Sequence, residues 1–212
     1  MTASVLPQNT PRRLPVQGRS TETCRRIEDA TERLLARGVP LAAMTTQQIA
    51  KEAGLSIGAL YRFFPDKQTI VEAVAIRRLA DFEESVAADV RNRPHFASPA
   101  ALISHIIDFF VAYLEAHPDF RTILYEGDNL STEIRTRHFG ATAKSAIMAR
   151  RYAVESFNIP DTAELTLRWR LVGEISGPLI GLAMNQPDAA SRAQILRETK
   201  LLIGQYLFGG EG

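Results

Sequence analysis

The stretch TTQQIAKEAGLSIGALYRFFPDK, residues 45–67, decides the fold. Thr45 followed three residues later by Gln48 has the spacing of a capping box, where side chains satisfy the orphan amides of a helix start. Ile49, Ala50 and Ala53 supply a short apolar face. Gly54 is placed to end that helix, because a left-handed backbone costs glycine little. Ser56 can cap a second short helix, with Ala59, Leu60 and Phe63 or Phe64 toward its inner side and Pro65 as its stop. Two short helices across a tight glycine turn predict a helix-turn-helix. Asp66 can then cap a longer helix through Ile70, Val71, Val74, Leu79 and Phe82 to about Val90.

The chemistry expected of such a motif is DNA reading. The first helix braces across the backbone, and the second enters the major groove, whose width accepts one helix. Ser56, Ile57, Gly58 and Ala59 give the second helix a compact leading edge, with Tyr61 and Arg62 projecting from the next turn. Thr46 and Ser56 stand at helix N-termini, where phosphates are attracted. Lys67, at the start of the fourth helix, adds a further phosphate contact. Arg62 can pair with guanine, a bidentate contact of about 1–3 kcal/mol. Ile57 has two readings, a contact to a thymine methyl or a core residue.

Working outward, Ile27, Ala30, Thr31, Leu34 and Leu35 share one face of a preceding helix, capped by Ser20 or Thr21 and stopped near Gly38 and Pro40. Downstream, Leu102, Ile103, Ile106, Ile107, Phe110 and Leu114 form an apolar stripe. Further helices are expected from Pro118 to Leu124, Thr132 to Phe157, Pro160 to about Met184 and Ala189 to Phe208, with a turn at Gly127–Asn129. No period-2 strand run appears, so the chain is expected to be all-α, with nine or ten helices.

Composition bounds the partners. Residues 1–78 hold 12 Lys and Arg against 7 Asp and Glu, a net of +5; residues 79–212 hold 13 against 17, a net of −4. The basic end suits a polyanion. Cys24 is the lone cysteine, which excludes an intramolecular disulfide and fits a reducing compartment. No run reaches the roughly 18 apolar residues of a bilayer span, and residues 1–30 lack a signal-peptide core. A cytoplasmic, unanchored protein without membrane contact is expected. Residues 1–18, with Pro7, Pro11 and Pro15, read as a flexible arm whose contact with DNA is left open.

The order Arg26-Ile27, Gly38, Thr45-Thr46, Ile49-Ala50, Ala53-Gly54-Leu55-Ser56, Gly58, Leu60-Tyr61, Phe64, Lys67 resembles the N-terminal domain of TetR-family transcriptional regulators. The spacing of Tyr61, Phe64 and Lys67 is a recurrent signature there. The resemblance covers roughly 45 residues and implies a division into arm (1–18), helix-turn-helix domain (19–78) and helical ligand-binding and dimerisation domain (79–212). It implies DNA contacts at Thr46, Ser56, Gly58, Tyr61 and Lys67, variable contacts at Arg62 and Phe63, and packing roles for Leu60 and Phe64. The link from Gly38 to Thr45 is slightly long for the family. Ile57 and Phe63 also depart from its usual residues.

The implied function is a repressor that leaves a palindromic double-stranded operator when a small-molecule effector binds. Dimerisation follows from the motif, because one module alone binds weakly. Leu167, Leu171, Ile175 and Leu179, with Gly173, Gly177 and Gly181 at fourth positions, suggest a face for another helix; Pro178 is expected to kink or interrupt it. In the last helix Ile195, Leu202, Ile203 and Tyr206 mark an apolar face. Phe110, Tyr113, Leu124, Tyr125, Met148 and Trp169, with Phe109, Phe120 and Phe139, are candidates for an apolar effector cavity or for ordinary core. His95, His105, His117 and His138 have no i, i+4 pairing and nothing matches a P-loop or dinucleotide fingerprint, so neither metal nor cofactor is expected. Of the alternatives, a helical small-molecule-processing enzyme lacks a convergent acid, base or nucleophile set, and the basic N-terminal third argues against an interaction module with a vestigial helix-turn-helix.

Overall fold

The computed structural model describes residues 16–92, 95–126 and 146–209. Every element among these is helical. In chain order they are α1 (Val16–Ala36), α2 (Thr46–Glu52), α3 (Ile57–Tyr61), α4 (Lys67–Asn92), α5 (Pro99–Ala116), α6 (Pro118–Glu126), α7 (146–157), α8 (Ala163–Met184) and α9 (Ala189–Phe208). Phe139, His138, the Gly127–Asn129 turn and the first part of the helix expected from Thr132 lie outside the described residues.

Two cores organise the chain. The first gathers Ile27, Ala30, Leu34 and Leu35 of α1, Ile49 and Ala50 of α2, Leu60 of α3 and Ile70, Val71, Val74 and Ala75 of α4. The expected face of α1 is entirely buried, with Thr31 satisfied by donating to the Ile27 carbonyl at 3.0 Å. α1 is already helical at Val16, the first described residue, ahead of the start expected near Ser20. Met44, 2% exposed, anchors the long α1–α2 link in this core.

The second core joins Leu102, Ile103, Ile107 and Leu114 of α5 to Phe120 of α6, Trp169, Val172 and Ile180 of α8, and Ile203 and Leu207 of α9. α4 serves both: Ile70–Ala75 face the first core, while Leu79 and Phe82 reach the second. α6 also crosses over, because its fully buried Ile123 packs in the first core. Ions lock this junction. Arg77 meets Glu28, Asp29 and Glu32 of α1 at 3.1, 2.8 and 2.7 Å, and Arg78 meets Glu32 at 3.0 Å and the buried Asp119 of α6 at 2.7 Å.

Three expectations change. α8 runs through Pro178 without interruption. Gly181 is small for an intrachain reason: a Cβ there would lie 2.5 Å from Tyr125 Cε1, and the Tyr125 hydroxyl donates to the Gly177 carbonyl at 3.2 Å. Finally, α5 is long and apolar enough by length and composition to cross a bilayer. The mean over 18 residues tolerates His105, Asp108 and Glu115, which interrupt any continuous apolar run. Here α5 is a core helix clasped by α9, with Lys200 on Asp108 at 2.6 Å and Arg192 on Glu115 at 3.0 Å.

Candidate nucleic-acid interface and ligand cavity

The helix-turn-helix is built from short-range contacts. Thr45 forms the capping box: the Gln48 amide donates to Thr45 Oγ1 at 3.2 Å, and the Thr45 amide donates to Gln48 Oε1 at 2.8 Å. Gly54 turns the chain at φ +66°, which a Cβ would resist. Arg26 reaches from α1 to the Ala53 carbonyl at 2.8 Å and closes the end of α2. Glu52, at the same end, accepts from Arg33 at 2.9 Å and Arg37 at 2.5 Å; these bonds hold its carboxyl below the usual range. Ser56 accepts from the Ala59 amide at 3.2 Å and starts α3. Asp66 accepts from the Thr69 amide at 2.7 Å ahead of α4, and that bond lowers its pKa.

α3 is only five residues long, so packing rather than intrinsic propensity must hold it. Leu60 is fully buried, and the half-buried Phe63 packs with Phe64 against the same core. The opposite side is open. Ser56, Ile57, Gly58, Tyr61 and Arg62 are exposed, and Ala59 is half-buried. Ile57, 38% exposed, is therefore not a core residue. Tyr61 OH and Thr46 Oγ1 share a hydrogen bond of 3.0 Å, bringing two expected DNA ligands from α2 and α3 to one point. The Lys67 ammonium donates to the Leu41 carbonyl at 3.0 Å and the Ala42 carbonyl at 3.4 Å. It thus ties the α1–α2 link to α4, a role the sequence did not announce.

In the second unit a cavity of about 200 Å³ lies between α4, α5, α7 and α8. Phe110, Met148 and Trp169 line it as expected. Tyr113, Leu124 and Tyr125 do not. Tyr113 donates to the Arg78 carbonyl at 3.2 Å, and burial pushes its pKa up to about 12. Leu124 packs against the second core, and Tyr125 covers Gly181. Phe82, Phe96, Phe109 and Tyr152 complete an aromatic wall. Sequence reasoning missed Asp89 and His105, which meet at 2.5 Å across α4 and α5 and border the cavity. The available signal was a polar His105 within the apolar stripe of α5.

A second exposed apolar surface lies on α8 and α9. Leu167, Leu171, Ile175 and Leu182 of α8 are exposed, as are Leu201, Leu202 and Tyr206 of α9. Ile203, expected on this face, is instead 2% exposed and belongs to the core.

A basic helix-turn-helix unit joined to a helical unit with an apolar cavity defines a DNA-binding transcriptional regulator with a ligand-binding domain. Residues 27–74 match the family described as bacterial regulatory proteins, tetR family, and residues 98–207 match the tetracyclin repressor-like C-terminal domain. The second match alone spans more than half of the chain, which therefore belongs to the TetR family. Over 81 residues the chain is 32% identical to the nucleoid occlusion factor SlmA of Pasteurella multocida (strain Pm70), a stretch spanning 38% of this chain and 39% of that relative. A TetR-family transcriptional regulator from Streptomyces coelicolor has a similar fold, with a TM-score of 0.61, 22% identity, and coverage of 87% of this chain and 97% of that one. So does the regulator FadR from Bacillus subtilis in complex with stearoyl-CoA, with a TM-score of 0.62, 15% identity, and coverage of 88% and 99%.

Proposed function

We propose that this protein acts as a homodimeric repressor that lays α3 of each protomer into the major groove of a palindromic operator and leaves it when an apolar effector enters the cavity. The outward face of α3 carries this reading. Ile57, Tyr61 and Arg62 stay exposed while Leu60 pins the opposite side. Ser56, Thr46 and Lys67 are assigned to phosphates, Arg62 and Ile57 to base edges, and Gly58 and Ala59 to close approach. Phe63, half-buried, is assigned to seating the helix at the edge of the contact. The Thr46–Tyr61 bond brings together two hydroxyls, each a group able to donate to a phosphate oxygen.

The exposed leucines of α8 and α9 are assigned to the contact with a second copy. A paired four-helix arrangement would bury them, and it would offer two recognition helices to two half-sites. Effector control is assigned to α4, because Leu79, Phe82, Val86 and Asp89 border the cavity on the same helix that carries Ile70 and Val74 into the first core. The ligand moves the equilibrium only by binding the two states with different affinity. An apolar effector agrees with the wall. The FadR neighbour is complexed with stearoyl-CoA, a ligand with a long apolar chain, which supports this reading.

The test is a gel-shift titration on a duplex enriched from a random pool. Tyr61→Ala is expected to weaken binding at an unchanged melting temperature. Unchanged affinity would refute the assignment. Leu202→Glu should convert a sedimenting dimer to a monomer, and a dimer that survives it would place the interface elsewhere.

A further inference from the structure

We infer that the cavity takes an apolar, single-ring aromatic compound of about eight non-hydrogen atoms, and that a continuous belt of aromatic side chains selects it. The inference rests on the cavity being the effector site and adds the size and kind of its occupant. Rings on the wall form one chain of contacts: Phe110 to Phe82, Phe82 to Phe109, Phe109 to His105, His105 to Phe96, and Phe96 to Tyr152. Successive centroids lie 5.2, 6.2, 6.2, 5.0 and 5.3 Å apart. The two end pairs meet edge to face, at 61° and 81°. Every ring of the belt lines the cavity, and every one is only half-buried, so each keeps surface that a guest can touch.

Volume sets the size. An apolar cavity of about 150 Å³ accepts benzene, and pockets for drug-sized ligands begin at about 300 Å³. At about 200 Å³ this cavity holds a benzene ring with a short substituent, whereas a long acyl chain exceeds it. The rings set the kind. Aromatic pairs prefer offset or edge-to-face placement and gain about two- to tenfold in affinity beyond the area they bury. An aromatic guest extends the belt and adds such pairs, while a saturated ring of the same skeleton gains by burial alone. The belt is also held in place before a guest arrives. The Tyr152 hydroxyl accepts from the Phe96 amide at 2.9 Å, and Asp89 holds His105 at 2.5 Å. Those bonds fix the Tyr152 and His105 rings, so binding has less ordering to do.

The experiment titrates the full-length protein by calorimetry with three probes: anisole, its saturated counterpart methoxycyclohexane, and n-decanol, a chain too long for the space. Area burial alone predicts that the saturated ring binds at least as well as the aromatic one. Anisole is instead expected to bind about fivefold more tightly than methoxycyclohexane, and n-decanol more weakly than anisole. In Phe109→Leu, which keeps an apolar side chain and removes one ring, anisole affinity should fall about threefold while methoxycyclohexane holds its own. If methoxycyclohexane matches or exceeds anisole on the wild-type chain, the inference is wrong and the cavity reading stands. If n-decanol binds more tightly than anisole and displaces it, the site takes chains and the inference is again wrong. Equal weakening of both ring compounds in Phe109→Leu would mean that the belt only packs, which also overturns it. If none of the three binds, the cavity reading itself fails and takes the inference with it. The wild-type comparison of the two ring compounds decides the matter even if Phe109→Leu does not fold.

Discussion

The two units of this protein place their functional surfaces by opposite means. The helix-turn-helix is assembled from neighbours in sequence: Thr45 with Gln48, Ser56 with Ala59, Asp66 with Thr69, and Thr46 with Tyr61 fifteen positions apart. The cavity draws its wall from residues as distant as Leu79 and Ile203. A local site is rigid wherever its caps and one buried anchor hold. A distributed site changes whenever any contributing helix shifts, which is what an effector-responsive surface needs.

The sharpest way to break this contrast is at the anchors. Leu60→Ala removes the fully buried side chain of a five-residue helix and should cost about 3 kcal/mol, with loss of DNA binding. Phe110→Ala, at a wall that already faces open space, should cost less and leave DNA affinity intact. Urea unfolding followed by circular dichroism reads both. Equal losses would mean that the two units are not differently built.

The glycines sharpen the comparison. Gly181→Ala pushes a methyl into the Tyr125 ring and should destabilise by about 1–3 kcal/mol, a loss partly recovered in the Gly181→Ala/Tyr125→Ala double variant. Gly54→Ala meets backbone strain at φ +66° and should cost about 1 kcal/mol. No neighbouring substitution should recover that loss. Additivity at Gly181 would show that Tyr125 is not the cause.

Smaller still is the loss of the hydroxyl alone. Tyr61→Phe keeps the ring and removes the bond to Thr46, so DNA affinity should fall about fivefold, near 1 kcal/mol, at an unchanged melting temperature. Titration gives the smallest effect. Hydrogen bonds hold Glu52 and Asp66 below their ordinary pKa values, so the unfolded chain binds more protons. Their stabilisation is present above the unfolded carboxylate range, about pH 4, and is lost as pH falls below it through their lowered folded values. Glu28, raised by burial, works in the opposite sense. Melting temperature against pH should therefore decline gently on acidification, and less so in Glu52→Gln. An unaltered slope in that variant would remove Glu52 from the account.

How much was legible in the sequence follows the same division. The capping box at Thr45, the caps at Ser56 and Asp66, the glycine turn and the buried face of α1 could all be read, because each depends on residues within one or two turns. The helical residues Val16–Gly18 ahead of Ser20 were not, since Pro15 and Gly18 read as breakers. Tyr113 and Tyr125 were candidates for the cavity on aromatic character alone. Their actual partners, the Arg78 carbonyl and Gly181, lie 35 and 56 positions away, and no periodicity encodes such distances. Asp89 and His105 escaped for the same reason. Gly173, Gly177 and Gly181 illustrate the limit: their spacing announced a close approach, but not that a tyrosine of the same chain makes it.

The most direct test is selection of duplexes from a random pool by the full-length protein, with the stoichiometry of the winning complex measured by sedimentation. The account predicts a two-fold symmetric consensus bound by two protomers, lost in Tyr61→Ala. Enrichment of no sequence, or an asymmetric site bound by one protomer and indifferent to Tyr61, would contradict it.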